Sequence, residues 1–545
     1  MGLVWHQRPM CRSVVASARA SFYVVTALLS QAAWCDVQYA EVDRFEVVGN
    51  SILTQTRVDQ VLSGLTGRVS LENIQIAAQR LQDAYRLAGY GAVVVQVPEQ
   101  TLTNRVLRLE VIEGKLSQIQ VAGLRAFTRQ NVLASLPALK PDQTPLLAEL
   151  DSELLMVNEN PAKSVRVVFQ PGEKKAQVEA LVVVEEQAVE RWQFGLDNTG
   201  NDATGKYRAS ASYQNANFAG GDQVLGLRYI TSPSDISQVS ILSTTYRVPL
   251  YAQKTFLEWS LLSSNTRNAP NQTPAGELRF SGEGLSVGAR AIWTLQSLTE
   301  LKHQASIGLE SRSYRNTCSL GTFGAAGCGT AAASVDVFPL TLGYSIQKPG
   351  QLQANVSLVT NLPVQRAGAD ADFNASRPGA VSRYSLLRAN AIGLLPVSQD
   401  WALSWRTELQ ASDQALVTAE QIGAGGANSV RGYAERALAG DSGATASVEV
   451  RTPLTLFSSK TPDGQESAQN LFVSVFLDAG TVSNQLGTNC AAGKTSCSLW
   501  GSGIGVLWRP GKNTTLRIDA ARAGEQVGDT QAGDWRLHFS LNHTL

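Results

Sequence analysis

Hydrophobic and polar positions follow two rhythms along this chain. From about residue 190 onward, apolar residues recur at every second position in runs separated by turn residues. Before about residue 187, such runs are interleaved with segments of helical spacing. A period of two marks strands with one apolar face, and a period near 3.6 marks amphipathic helices. In the second region strands are expected at 190–199, 206–216, 220–231, 236–247, 254–264, 282–294, 299–313, 335–347, 351–361, 381–395, 400–411, 445–453, 469–479, 499–509, 513–522 and 535–544. That is roughly sixteen, an even set of about the length that crosses an outer membrane. The connections are asymmetric. Those after even strands are mostly short, as at Phe218-Ala219, Lys348-Pro349-Gly350 and Arg509-Pro510-Gly511-Lys512. Those after odd strands include the long ones at 265–281, 314–334, 362–380, 412–444, 480–498 and 523–534; the exception is 454–468, long on the short side. Short turns at one end and long loops at the other predict a transmembrane β-barrel rather than a sandwich or propeller, which needs no apolar belt.

The first region holds two similar units. In one, a strand at Arg44–Gly49 is followed by helices near Thr56–Leu65 and Leu71–Leu87, then by strands at Ala92–Val97 and Val106–Ile112. Ile74, Ala77, Leu81 and Tyr85 make the second helix amphipathic, Ser70 is its expected N-cap and Gly89 its stop. The other unit repeats the order with a strand at Leu116–Val121, helices at Thr128–Leu136 and Leu146–Asn158, and strands at Lys163–Phe169 and Val178–Val184. The expected fold is therefore mainly β: a 16-stranded antiparallel barrel at 190–545 behind two β-α-α-β-β units at 43–115 and 116–187.

Composition narrows the function. Lys+Arg and Asp+Glu both number 46, so no basic footprint for nucleic acid is present. Charged residues make up 17% of the chain, below the roughly 25% usual in soluble proteins, which suits a barrel in lipid. No phosphate-binding GxxxxGK[ST] loop occurs, so nucleotide is not an expected partner. Residues 1–35 read as a secretory signal: Arg8, Arg12 and Arg19 precede the apolar Phe22–Leu29, and Ser30-Gln31-Ala32 or Ala33-Trp34-Cys35 supplies a cleavage site. Beyond Cys11 and Cys35, the cysteines form two close pairs, Cys318/Cys328 and Cys490/Cys497, without His or acidic neighbours. Local structural disulfides fit better than a zinc site, and no metal or other cofactor is expected. Of the four histidines, His6, His303, His538 and His543, none stands with Ser and Asp in a nucleophile motif, so an enzyme such as an outer-membrane hydrolase is disfavoured and no catalytic residue is assigned.

The stretch Gly423–Pro453, GAGGANSVRGYAERALAGDSGATASVEVRTP, is the chemically distinctive one. Its centre, Val430-Arg431-Gly432-Tyr433, sets a cation and an aromatic among glycines that permit close backbone packing. It lies in 412–444, the sixth connection on the long-loop side, after the eleventh strand. In the strand beyond it, Phe472, Ser474, Phe476, Asp478 and Gly480 share one face, and Val473, Val475, Leu477 and Ala479 share the other. The second face suits lipid, so Asp478 is expected in the lumen.

The first unit resembles a POTRA (polypeptide-transport-associated) domain in Phe45-Glu46-Val47-Val48-Gly49-Asn50, Gly89-Tyr90, Pro98-Glu99-Gln100 and Val111-Ile112-Glu113-Gly114. The second does so in Gly123, Asn160-Pro161 and Pro171-Gly172. With Leu196-Asp197-Asn198 and Gly200, Gly425-Gly426 to Tyr433, Gly440-Asp441-Ser442-Gly443 and Phe476-Leu477-Asp478-Ala479-Gly480, the chain resembles the outer-membrane transporters of two-partner secretion, the haemolysin-activator and filamentous-haemagglutinin-transporter family. The resemblance implies that loop six folds into the lumen and that Arg431 pairs with Asp478. It implies periplasmic POTRA units, an outer-membrane lipid surround, and a large secreted partner captured by its N-terminal secretion domain: an adhesin, a cytolysin or a contact-dependent toxin. Capture is expected by strand addition at a sheet edge, with the helix Leu71–Leu87 or its second-unit equivalent as wall, beside the strand before the closing hairpin. About ten residues separate the signal from the first strand, so the plug helix of some family members is not expected. Leu545 departs from the terminal aromatic common in such barrels. The alternative within the same superfamily is an insertase that assembles other barrel proteins; two POTRA units favour secretion.

Overall fold

The computed structural model describes residues 39–545, apart from 269–270, 275, 296–300, 324–325, 327, 329–331, 365, 399–400, 455–457, 461–465, 469, 486–489 and 491–492. The expected signal at 1–35, with Cys11 and Cys35, lies outside the described residues. So do residues 36–38 of the short stretch on which the expected absence of a plug helix rests. The chain divides into two compact bodies. One comprises residues through Ala122 with Leu136–Asp151 and Arg166–Val184; the other comprises Gly123–Ser135, Ser152–Val165 and Glu185–Leu545.

In the first body, β1 (Tyr39–Val42) precedes β2 (Arg44–Val48), α1 (Gln55–Leu62), β3 (Gly67–Ser70), α2 (Leu71–Leu87), β4 (Val93–Gln96) and β5 (Val106–Glu113). Strand β5 is central, parallel to β2 and antiparallel to β4. Helix α2 forms where the apolar spacing predicts it. Ile74, Ala77, Ala78, Leu81 and Tyr85 enter a core with Val58, Leu62, Val93, Leu107, Leu109 and Val111. Truncating a buried leucine such as Leu81 costs about 2–5 kcal/mol. Ser70 caps α2 by accepting from the Asn73 N–H at 3.2 Å, and Gly89 leaves it at φ +93°. The antiparallel pair β1–β3 is an addition to the expected order; Val42 and Val69 tuck its inner face into the same core. Glu113 closes the unit: its carboxylate accepts from the Ser51 and Ile52 N–H groups at 2.7 and 3.0 Å and from the Ser51 hydroxyl.

The second unit repeats the pattern with β6 (Lys115–Ala122), α3 (Arg129–Ala134), α4 (Leu147–Val157), β7 (Lys163–Pro171) and β8 (Gln177–Glu186), in sheet order β6-β8-β7. It is shared between the two bodies: most of its sheet falls in the first, while α3 and the turn after α4 fall in the second. A boundary at residue 187 therefore does not coincide with the division of packing.

The barrel closes through sixteen strands. They are Glu190–Asp197, Arg208–Phe218, Gln223–Thr231, Val239–Leu250, Thr255–Arg267, Gly276–Leu295, Lys302–Leu320, Pro339–Lys348, Leu352–Asn361, Ser385–Pro396, Ala402–Ser412, Ser442–Leu454, Asn470–Ser483, Ser496–Arg509, Thr514–Ala523 and Trp535–Thr544. Neighbours are antiparallel, and the last strand pairs with the first, Leu541 opposite Leu196. Closure leaves no open edge, which is what permits strands to cross hydrocarbon. Every expected strand is present, with ends shifted by a few residues. Gly276–Leu295 and Lys302–Leu320 run well past their expected ends, because they pair with each other beyond the belt. The outward face carries Trp192, Phe194, Trp259, Leu261, Leu285, Val287, Leu342, Val475 and Leu477, all exposed. So continuous an apolar surface is the lipid contact of an outer-membrane barrel. Cys318 and Cys328 are bonded, as are Cys490 and Cys497, with Cα atoms 6.0 and 6.1 Å apart. The loop at 362–380 contains a helix the pattern did not announce, α5 (Asp370–Ser376).

Candidate functional site: the lumenal loop and its anchors

Loop 412–444 does not project outward. Its stem is a short antiparallel pair, Ile422–Ala424 with Leu438–Gly440, and the intervening residues carry Val430-Arg431-Gly432-Tyr433 inward. Val430 and Tyr433 are fully buried, and Arg431 retains 1% of its exposure. Gly432, at φ +98°, makes the bend that sends Arg431 and Tyr433 in different directions.

Arg431 meets the wall through a forked contact. Its Nε and Nη2 donate to the two oxygens of Asp478 at 2.7 and 2.8 Å, and its backbone N–H donates to Asp478 Oδ2 at 3.0 Å. Nη1 reaches Glu449 at 3.0 Å and lies 3.5 Å from Asp519; Nη2 reaches the Ser447 hydroxyl at 3.3 Å. The guanidinium carbon stands 3.2 Å from the centre of the Phe476 ring. Asp478 is completely buried, whereas Val475 and Leu477 on the other face are each 56% exposed. Arg517 ties Glu449 and Asp519 together at 2.6 and 2.7 Å, so Arg431 and Arg517 interleave with three carboxylates. Charge-assisted, forked contacts of this kind are the strong ones, and in a dry site neither partner is free to separate without leaving the other uncompensated.

The rest of the tip is held as closely. The Gly432 N–H donates to His538 Nε2 at 3.2 Å. Tyr433 Oη lies 2.9 Å from the Trp500 carbonyl and accepts from the Glu525 N–H at 2.8 Å. Ile422, Ala424, Val430, Tyr433 and Leu438 form an apolar cluster with Val482, Cys497, Leu499 and Ala523, against which Cys490 packs. Gly480 admits this cluster: a Cβ there would stand 3.1 Å from Ala424 Cβ and Val430 Cγ2. Gly425 and Gly426 lie just beyond the stem pair, Gly440 ends it, and Gly443, second in the following strand, lies beside Ile422.

Two further anchors hold the stem. Glu420, 1% exposed, accepts from Arg312 Nη1 at 2.8 and 2.9 Å, from Arg388 at 3.2 Å and from the Tyr314 hydroxyl at 3.2 Å. Asp441, fully buried, accepts from Arg377 at 2.7 and 3.2 Å, from the Leu416 N–H at 3.0 Å and from Gln421 at 3.1 Å. Arg377 follows α5, and Phe373 of that helix packs with Tyr384, Leu416 and Val417.

Each residue named from the sequence is thus located, and Arg431 and Asp478 are in contact. Sequence reasoning named Asp441 within its motif but not its partner Arg377, and it missed Glu449, Asp519, Arg517, His538 and the Glu420 anchor. It also missed Gly501, Gly503 and Gly505, which share one face of Ser496–Arg509. A Cβ at Gly501 would collide with the Arg431 carbonyl, one at Gly503 with the Phe476 ring, and one at Gly505 with Ser474 and Asp519. The signal was visible as glycine at every second position of a strand, where glycine otherwise weakens pairing and marks a close approach. Among the described residues no group of three or more His, Cys, Asp or Glu side chains is placed to hold a metal ion.

The periplasmic groove needs one correction. The sheet edge bordered by α2 is β4, the first strand of the closing hairpin, and not the opening strand β2, which lies at the opposite edge. The Val95 N–H, on the outer side of β4, donates to Gln82 Oε1 of α2 at 3.0 Å.

Comparison with known proteins gives the same architecture. A family profile described as "Haemolysin secretion/activation protein ShlB/FhaC/HecB" matches residues 179–507, and one described as "POTRA domain, ShlB-type" matches residues 40–114. The heme/hemopexin transporter protein HuxB of Haemophilus influenzae (strain 86-028NP) is 20% identical over 428 residues, 75% of this chain and 71% of its own length. Among solved structures, CdiB from Escherichia coli superimposes with a TM-score of 0.78 at 18% identity, over 95% of this chain and 93% of that one. CdiB from Acinetobacter baumannii does so at 0.69 and 15%, over 93% and 90%.

Proposed function

This chain belongs to the haemolysin secretion/activation family of POTRA-plus-barrel outer-membrane transporters, and we propose that it exports one large, unfolded exoprotein by two-partner secretion. As a member of that family it is a transporter and not an enzyme, with its barrel in the outer membrane and its POTRA region in the periplasm. The exoprotein's N-terminal secretion domain adds as a strand along the outer edge of β4, beside α2. The chain then passes through the lumen and folds outside, which gives transport its direction without nucleotide. Loop 412–444 braces or gates the lumen.

The observation that carries this proposal is the burial of the loop tip on the barrel wall through Arg431 and Asp478, with Glu420 and Asp441 holding the stem. A loop fastened at three places inside a transport channel is a structure to be shifted or steered around. The test is secretion, measured in culture medium from cells expressing this chain with a candidate exoprotein that carries an N-terminal secretion domain. Arg431→Ala, Asp478→Ala and the double variant are each expected to lower secretion while barrel assembly persists. Normal secretion by all three overturns the loop's role. A pull-down that returns barrel proteins and no large β-rich exoprotein overturns export in favour of membrane-protein assembly.

A further inference from the structure

The turn between α4 and β7, Asn158 to Ala162, falls within the same compact body as the barrel. It is held by its flanks. Asn160 Nδ2 donates to the Ala216 carbonyl at 2.7 Å, and Lys163 Nζ, fully buried, donates to Asp222 at 2.6 Å and to Asn131 at 2.9 Å. Phe127 lies beneath the Lys163 ammonium, 4.7 Å away. The effect is to aim one side chain, Glu159, into the lumen.

Glu159 ends between two cations from separate strands. Arg247 Nη2 lies 2.6 Å from its Oε2, Lys302 Nζ pairs with its Oε1, and Gln304 Nε2 donates to the same Oε1 at 2.9 Å. Arg247 is near the end of Val239–Leu250 and Lys302 begins Lys302–Leu320, so both stand at the short-turn, periplasmic end of the barrel. The Arg247 guanidinium is oriented by Phe256, 3.9 Å from its ring centre, and its Nε is buried with no hydrogen-bond partner. A buried donor left unpaired beside an occupied carboxylate site is unusual enough to need a reason. The site opens onto a cavity of about 520 Å³, whose charged lining is Arg247, Arg290 and Lys302 against Glu159 and Glu258. With Glu159 turned aside, three cations face one carboxylate.

We propose that Arg247, Lys302 and Gln304 form a carboxylate-binding site at the periplasmic mouth of the lumen, which receives acidic side chains of the passing polypeptide, and that Glu159 occupies it at rest as an internal stand-in. The proposal takes the identity of the passing chain from the export function. The exchange requires only a rotamer change at Glu159, because Asn160 and Lys163 hold the backbone. Each incoming Asp or Glu replaces an equivalent carboxylate, so the cations are never left uncompensated while the chain advances. Arg247 Nε offers the incoming group a donor that Glu159 does not use, which favours the exchange.

The test needs no exoprotein. The full-length protein in a planar bilayer is exposed on its periplasmic side to a ten-residue polyglutamate peptide, with a ten-residue polyserine peptide as control. Native folding of each variant is checked by heat-modifiable electrophoretic mobility. Glu159→Gln removes the resident negative charge, weakening the internal occupant, and is expected to lengthen blocks by polyglutamate on the order of tenfold. Adding Arg247→Gln and Lys302→Gln is expected to abolish the gain, and polyserine is expected to be indifferent throughout. Equal block in wild type and Glu159→Gln, or a gain that persists in the triple variant, overturns the proposal. Should Glu159→Gln not fold, Lys302→Gln alone carries the test: its reversal potential in a KCl gradient is expected to shift toward cation preference, and an unchanged potential overturns the site. Failure here leaves export standing, because secretion is measured separately on the Arg431 and Asp478 variants.

Discussion

Removing the Arg431 side chain leaves Asp478 fully buried with only the residue 431 N–H, at 3.0 Å, as a remaining donor from that residue. Breaking a buried pair by deleting one partner costs about 3–5 kcal/mol, chiefly the stranded charge. Removing Asp478 is less severe, because Arg431 keeps Glu449 at 3.0 Å and Asp519 at 3.5 Å; about 1.5–3 kcal/mol is expected, the range for a hydrogen bond to a charged group. In the double variant no charge is stranded, so its cost should fall short of the sum of the singles by up to about 3 kcal/mol. The readout is amide hydrogen exchange at Gly432 and Tyr433 in the detergent-folded protein, which measures opening of the tip without unfolding the barrel. Arg431→Ala should raise the opening constant between roughly a hundredfold and a few thousandfold, Asp478→Ala less, and the double variant less than their product. A change below about fivefold for Arg431→Ala, or a cycle additive within about 0.5 kcal/mol, would show that the pair does not hold the tip. Channel conductance of the same variants then tells whether an open tip is an open pore.

Gly501→Leu places a side chain where the Arg431 carbonyl now sits; it should displace the tip and raise conductance while leaving strand pairing intact, as judged by heat-modifiable mobility. Lys163→Met strands Asp222, whose Oδ1 already lacks a partner; a loss of about 3–5 kcal/mol is expected, largely restored by adding Asp222→Leu, with thermal unfolding of the barrel as the measurement. Burial alone would raise the Glu186 carboxyl, but donation from the Ala126, Arg125 and Phe127 N–H groups outweighs it and holds the group below its ordinary value. A depressed carboxylate contributes stability that is fully present above its unfolded value of about 4.3 and is lost as pH falls through the lower folded value. Exchange protection of those three amides should therefore be flat above about pH 5 and decline in stronger acid; Glu186→Gln should lower the plateau and flatten the profile.

The barrel was legible because its physics is local and repeated. Lipid on one side and a polar lumen on the other force alternation at every strand, so period two could be read without knowing which strand pairs with which. Helix α2 was legible for the same kind of reason: apolar spacing, Ser70 and Gly89 all act within one segment. The same alternation put Asp478 in the lumen. Residue character alone did not name what meets it; Arg431 came from resemblance, and the remaining partners came from neither. Asp519 and His538 lie on strands distant in sequence and Glu449 on the strand that follows the loop; the barrel wall brings all three around one loop tip. The edge of the periplasmic groove was misplaced for a related reason. Chain order places β2 first, but the parallel pairing of β2 with β5 sends β4 to the edge that α2 covers. Alternation and capping act over a few residues and are written where they act. The glycine stripe at 501–505, the Glu159 site and the anchors of loop 412–444 follow from the assembled barrel, which brings side chains from tens to more than a hundred residues apart within hydrogen-bonding distance.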